Sequence, residues 1–271
     1  MSEPAPITGP LPDPWDDLRA HTAARLALGR AGTAVPTREL LRFGLAHAQA
    51  RDAVHLQLGA EALAAQIRAL GCSTLQVASA APDRATYLLR PDLGRRLGDA
   101  DAERLRGLGD GHTPCDLLVV VADGLSSLAV ERNAMPLVET IVRTAPQGWR
   151  IGPVVVATQG RVALGDEVGA LLGARLVAVL IGERPGLSSP DSLGIYLTWH
   201  PQVGRSDAER NCISNVRAEG LAPSAAAARL WWLCQEARRL ALTGVGLKDR
   251  SDGVVVGNAA GKVLPGGPAA A

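Results

Sequence analysis

In a chain of 271 residues, 28 Lys and Arg stand against 27 Asp and Glu, so no broad charged surface for nucleic acid or an anionic membrane is expected. Hydrophobic residues make up 47% of the sequence but aromatics only 3%, which leaves Leu, Val, Ile and Ala to build the core of an ordinary globular chain. The length suits one large α/β domain with an appendage or two unequal domains, and Cys72, Cys115, Cys212 and Cys234, without a Cys-x-x-Cys spacing, suggest neither a disulfide framework nor a zinc site.

The N-terminus, Met1-Ser2-Glu3-Pro4-Ala5-Pro6, has no basic segment followed by an apolar one, and no apolar run approaches the roughly 20 residues of a membrane span. A cytoplasmic protein is expected. Residues 1–14 are Pro-rich and residues 251–271 rich in Gly, Ala and Pro, so both are read as flexible tails. Residues 15–110 form a mainly helical region. Trp15, Leu18, Ala23, Leu26 and Ala27 predict an amphipathic helix over 14–29. Pro36-Thr37-Arg38-Glu39 opens a second helix with Leu40, Leu41, Phe43, Leu45 and Ala48 as its apolar face, and 60–70 forms a third before Gly71. Leu75-Gln76-Val77 and Thr86-Tyr87-Leu88-Leu89 then predict a small β-hairpin, after which helix resumes over 92–108.

Over 111–250 the pattern changes. Continuous apolar runs at 117–121, 154–157 and 176–181 alternate with helical segments, which is βαβ spacing. Strands apolar on both sides need cover on both faces, so a parallel sheet flanked by helices is expected. A further strand is predicted over 195–199, and Pro223 opens a long Ala-rich helix over 223–242 that closes one face of the sheet.

Several motifs point away from familiar chemistry. Gly107-Leu108-Gly109-Asp110-Gly111 precedes a strand and so reads as a loop, not a dinucleotide fingerprint. Asp123-Gly124-Leu125-Ser126-Ser127 reads as a strand end, turn and helix N-cap; its loop and the one at Glu183 are placed to share a crevice. His21, His47, His55, His112 and His200 show no metal-ligand spacing, and Asp110-Gly111-His112 matches a cobalt-ligating histidine motif only in part, without its glycine. Gly165, Gly169 and Gly173 recur every fourth residue, as a helix pressed closely onto a sheet would require.

Gly182-Glu183-Arg184-Pro185-Gly186 leaves a buried run and sets a carboxylate at its mouth, where it needs donors from a ligand or from Arg184. This stretch, with Asp191-Ser192-Leu193 and Arg210-Asn211-Cys212-Ile213-Ser214-Asn215-Val216, resembles the small-subunit family of ethanolamine ammonia-lyase. LALGRAG (26–32), PTRELLRFGLAHAQARDAV (36–54), RPDLGRRL (90–97), ADGLS (122–126) and QGRVALGDEV (159–168) extend the resemblance over residues 20–250.

The resemblance implies a Rossmann-like cobalamin-binding domain over 111–250, in a subunit of an adenosylcobalamin-dependent lyase that converts ethanolamine to acetaldehyde and ammonia by a radical route. It implies a large subunit that holds the substrate in its barrel, with no catalytic residue and no protein metal ligand on this chain, because the cobalt keeps the cofactor's own dimethylbenzimidazole. Carried over by motif, Val162, Glu183 and Cys212 contact the cofactor, with Arg161 and Arg184 beside them and Ser214 and Asn215 as neighbours. Residues 1–14 do not resemble the helical extension of family members packaged in a bacterial microcompartment, so encapsulation is not expected. A non-catalytic cobalamin or nucleotide carrier or sensor with the same fold is the alternative.

Overall fold

The computed structural model describes residues 32–109 and 114–251, and before them residues 15, 17, 18, 21, 22 and 24–30. The tail over 1–14 lies outside the described residues, as do residues 252–271 and His112. The sheet has six strands: β1 (Thr74–Ala78), β2 (Leu117–Ala122), β3 (Val154–Thr158), β4 (Leu176–Gly182), β5 (Leu193–Trp199) and β6 (Arg210–Val216), in the order β1-β3-β2-β4-β5-β6. The helices are α1 (Thr37–His55), α2 (Ala60–Ala69), α3 (Arg84–Leu89), α4 (Asp99–Gly109), α5 (Ser127–Arg143), α6 (Leu164–Leu171) and α7 (Pro223–Leu240).

Only part of the sheet is parallel, a correction to the all-parallel expectation. β1, β3, β2 and β4 run parallel, whereas β5 is antiparallel to β4 and β6 antiparallel to β5. The physical reason is chain length. A parallel crossover needs a dozen or more residues, usually a helix, and residues 183–192 between β4 and β5 are too few and too rich in Pro and Gly to provide one.

Every residue of β2 and β4 is buried. Two separate cores do this. On one face Leu117, Val119, Val121, Val154, Leu176 and Leu180 pack with α2, α5 and α7; on the other Leu118, Val120, Val155, Val177 and Val179 pack with α4 and α6. At about 1.5–3 kcal/mol for each buried Val, Leu or Ile, these two layers dominate the stabilising side of folding. The spaced glycines serve α6: Gly165 abuts Val179, and a Cβ on Gly169 would stand 2.6 Å from Pro201 Cγ. Gly173, at φ 64°, lies past the helix end.

Local signals account for the helix ends. The Ser126 hydroxyl accepts from Ala129 N at 3.1 Å and caps α5, the Asp83 carboxylate accepts from Thr86 N at 2.7 Å and caps α3, and Pro223 occupies the first turn of α7.

Three other expectations are corrected. The predicted hairpin does not form: Thr74–Ala78 pairs with β3 inside the main sheet, and the Asp83 cap turns 84–89 into helix. The helix expected over 92–108 begins only at Asp99, after a turn at Leu93–Arg95, so Gly107 and Gly109 end a helix and do not form a loop. Residues 24–29, within the helix expected over 14–29, carry no helix.

The outer face of α1 is apolar yet uncovered. Leu40, Leu41 and Leu45 are 64%, 68% and 61% exposed, and Phe43 is also exposed, although their spacing predicts a core-facing stripe. Both edges of the sheet are partly taken up by the rest of the chain. On β1, Asp101 of α4 accepts from Ala78 N at 2.7 Å and Arg104 donates to Gln76 O. On β6, Leu221 N donates to Asn215 O at 2.8 Å, while the Asn211 side chain bonds the backbone of residues 244 and 247 beside the strand.

Candidate functional site

The connections leaving β2 and β4 diverge, one returning towards β3 and the other running on to β5. Crevices between diverging loops are where open α/β sheets hold ligands. Gly124, at φ 56°, lies directly on the backbone of Gly182, and Leu125 N donates to Gly182 O at 2.9 Å. The loops at Asp123 and Glu183 therefore meet, as their positions in the sequence suggest.

Asp123 is buried at the end of β2. Its carboxylate accepts from Gln159 N and Gly160 N, each at 2.9 Å, and from Arg84 Nη1 at 3.2 Å. Burial pushes this carboxyl above the ordinary range, and the two backbone donors with Arg84 pull it back. The loop it grips carries Arg161 and Val162. Arg161 N donates to Gly94 O at 2.7 Å, and its guanidinium lies 4.4 Å over the Tyr87 ring. The Tyr87 hydroxyl donates to Gly160 O at 3.0 Å. Val162 is half-buried against the core that α4 and α6 cover.

Glu183 is half-buried. The Ser192 hydroxyl donates to its Oε2, and Asn215 N donates to the same oxygen at 3.4 Å. Oε1 accepts no bond among the described residues and stands over Gly194, where a Cβ would lie 2.9 Å away. Asn215, at φ 61°, sits in a bulge where the pairing slips from Leu193↔Val216 to Ile195↔Ile213. Beside it Tyr196 pairs across the strands with Cys212. Partial desolvation pushes the Cys212 thiol above the range of a free cysteine, with the Glu183 charge acting in the same direction.

Of the residues singled out by sequence, Glu183, Cys212 and Asn215 form one group. Arg161 and Val162 lie on another loop; Val162 joins Tyr196 on the same core layer. β3 and β6 are four strand places apart, about 19 Å at ordinary spacing, so only a broad ligand could touch both ends of this set. Arg184 and Ser214 are exposed, and Arg184 forms no ion pair with Glu183 among the described residues. Arg210, two residues before Cys212 on the same face of β6, lies outside the group: its buried guanidinium holds Asp166 at 2.6 and 2.7 Å.

Ser192, Gly194 and Tyr196 lie beside these residues and are not among the site residues named from the sequence. The signal was present: in Leu193-Gly194-Ile195-Tyr196-Leu197-Thr198 apolar residues alternate with small or polar ones, the pattern of an antiparallel strand with one open face.

A separate cleft of about 490 Å³, lined by Asp52, Leu56, Arg132, Asp191 and Arg217, does not include Val162, Glu183 or Cys212. The histidines at 21, 47, 55 and 200 are exposed, and the described residues hold no group of three His, Cys, Asp or Glu able to bind a metal ion.

Over residues 12–248 the chain matches the family model described as ethanolamine ammonia-lyase light chain (EutC). Relatives named ethanolamine ammonia-lyase small subunit include a protein of Xanthomonas campestris pv. campestris (strain B100), 56% identical over 259 residues and covering 95% of this chain and 94% of the relative. One from Pseudomonas fluorescens (strain SBW25) is 54% identical over 254 residues, covering 93% and 91% respectively. One from Pseudomonas aeruginosa (strain UCBPP-PA14) is 55% identical over 242 residues, 89% of each chain.

Proposed function

We infer the function from one premise: this chain belongs to the ethanolamine ammonia-lyase light-chain family. As the small subunit of a lyase it acts together with a large subunit. Beyond that, we propose that it covers one side of adenosylcobalamin at the contact between the two subunits, while ethanolamine is converted to acetaldehyde and ammonia on the partner.

The donor set fits such a group. A corrin is an apolar plate rimmed by carboxamides, so it wants flat apolar contact with acceptors and donors around it. Val162 and Tyr196 offer the first. The unbonded Glu183 Oε1 offers an acceptor, and Cys212 and the exposed Ser214 offer weak donors. On the neighbouring loop, Gln159 Oε1 and Arg161 Nε are buried without hydrogen-bond partners, an acceptor and a donor that a carboxamide complements. The observation that carries this reading is the open Glu183 carboxylate, held on one oxygen by Ser192 and Asn215 and left free on the other.

Adenosylcobalamin, when bound, supplies the radical chemistry of the reaction. This chain's residues hold and orient it: Glu183 fixes an amide of the rim, Tyr196 and Cys212 form a floor beside it, and Val162 with Arg161 closes the far end. Covering the face also keeps water from the reacting partner site. The exposed leucines of α1 are proposed to dock on the large subunit, whose arrival would bury them.

The test is ammonia release from ethanolamine with adenosylcobalamin, using this chain, its large subunit and the reconstituted pair. Activity in the pair alone is expected, with Glu183→Ala lowering cobalamin retention more than it lowers stability. An assembled pair that binds cobalamin without releasing ammonia would favour a carrier, and unchanged retention in the variant would remove Glu183 from the site.

A further inference from the structure

The loop that carries Arg161 and Val162 is held at its far end by the first turn of α6, where Leu164 N and Gly165 N donate to Arg161 O and Val162 O at 3.0 Å. Its near end depends on other elements. Gln159 is a non-glycine residue at φ 57°, a conformation that persists only when its surroundings impose it. Three anchors do so: Gly94 O receives Arg161 N, the Tyr87 hydroxyl reaches Gly160 O, and Asp123 takes Gln159 N and Gly160 N on separate oxygens. Asp123 is the one side-chain carboxyl among them, and it is 2% exposed. A carboxylate with two consecutive backbone N–H groups on its two oxygens fixes the direction of the chain between them.

Asp123 is also wired elsewhere. Arg84, 5% exposed, donates Nη1 to Asp123 and Nε to Val54 O at 2.8 Å, in the last turn of α1. Its guanidinium lies 4.8 Å over the same Tyr87 ring that Arg161 covers from 4.4 Å. The helix with the uncovered apolar face and the loop with Val162 are therefore joined through one buried ion pair.

We propose that Asp123 is a positioning residue for the 159–162 loop, and that Arg84 ties that position to the end of α1. The inference rests on the cofactor role proposed for Val162. Asp123 touches no ligand; it sets where Val162 and Arg161 present themselves, and Arg84 lets the placement of α1 bear on it.

A double-mutant cycle on cyanocobalamin affinity in the reconstituted two-subunit complex tests this. Asp123→Asn keeps the size of the side chain but sets an amide N–H₂ against a donor. It is expected to raise Kd about tenfold, the loss of one well-placed contact. Val162→Ala should then cost clearly less in the Asp123→Asn background than in the wild type, whereas Glu183→Ala, on the other loop, should cost the same in both. A general loss of structure would not separate the two loops in this way. If Asp123→Asn fails to fold, Arg84→Gln takes its place, with a smaller rise in Kd, the same selective coupling to Val162, and recovery in Arg84→Lys. Additive behaviour with both sites, or an unchanged Kd, overturns the proposal. If Val162→Ala and Glu183→Ala alone leave Kd unchanged, the cofactor role itself has failed instead.

Discussion

Gly194 makes room for Glu183: a side chain at 194 would place its Cβ 2.9 Å from Oε1 and 3.2 Å from Cγ of that carboxylate. The clash is with the flexible end of a side chain, not with backbone, so Gly194→Ala is expected to fold at a cost of about 1 kcal/mol or less. The displaced carboxylate should nonetheless bind cobalamin roughly tenfold more weakly in the two-subunit complex. Equal losses of stability and affinity would speak against a placed Glu183.

Arg210 should behave in the opposite way to Cys212, two residues along the same strand. It lies buried on Asp166, and its removal leaves that carboxylate uncompensated. Arg210→Ala is expected to cost about 3–5 kcal/mol in urea unfolding, whereas Cys212→Ser should cost under about 1 kcal/mol, as exposed substitutions do.

The four cysteines should label in order of access. Cys212 is exposed, Cys72 half-buried, and Cys115 and Cys234 buried. Burial raises the Cys234 thiol far above its usual range. Maleimide labelling read by peptide mass spectrometry is expected to modify Cys212 first, and cobalamin added to the assembled enzyme should slow it several-fold. Unaltered labelling would place Cys212 outside the cofactor contact.

Glu209 gives a pH signature unconnected with the site. Its carboxylate accepts from Ser206 N at 2.8 Å and from Arg205 and the Ser206 hydroxyl, which hold its pKa at about 2. A depressed carboxyl contributes stability that is complete above its ordinary range and is lost as pH falls towards the folded value. Melting temperatures between about pH 5 and pH 2 should therefore fall more steeply for the wild type than for Glu209→Gln, with the curves converging at the acid end. Parallel curves would show that the cap is not formed in solution.

Leu41→Glu on α1 should leave the melting temperature of the isolated chain within about 2 °C, because the side chain is exposed. It should also abolish co-elution with the large subunit. Normal assembly would move the contact to another face.

The strands whose apolar runs are unbroken were the most legible in the sequence, because burial on both faces leaves no polar position: 117–122, 154–158 and 176–182 appear where the runs predict them. What escaped was decided by neighbours. The β run at 75–77 is legible, but that Thr74–Ala78 pairs with β3 and not in a hairpin depends on the edge β3 offers, and 84–89 is a helix because Asp83 caps it; neither shows in apolar periodicity. The same holds for the site. Glu183 and Cys212 stand out by motif, but Gly194 and Tyr196 matter only once antiparallel pairing sets them between those two. Asp123 is visible as the end of a strand; that it grips residues 159 and 160 depends on β3 lying beside β2.

The bonds made at the outer strands bear on how this molecule can meet others. An open strand edge is a row of free N–H and C=O groups that any extended chain can zip onto, the usual start of a fibre. Here Asp101 and Arg104 occupy part of that row on β1, and Leu221 N takes Asn215 O near the end of β6. A chain that waits with leucines bare on one helix thereby has less of the indiscriminate route to aggregation open to it, and association is steered to side-chain surfaces, where shape and sequence choose the partner.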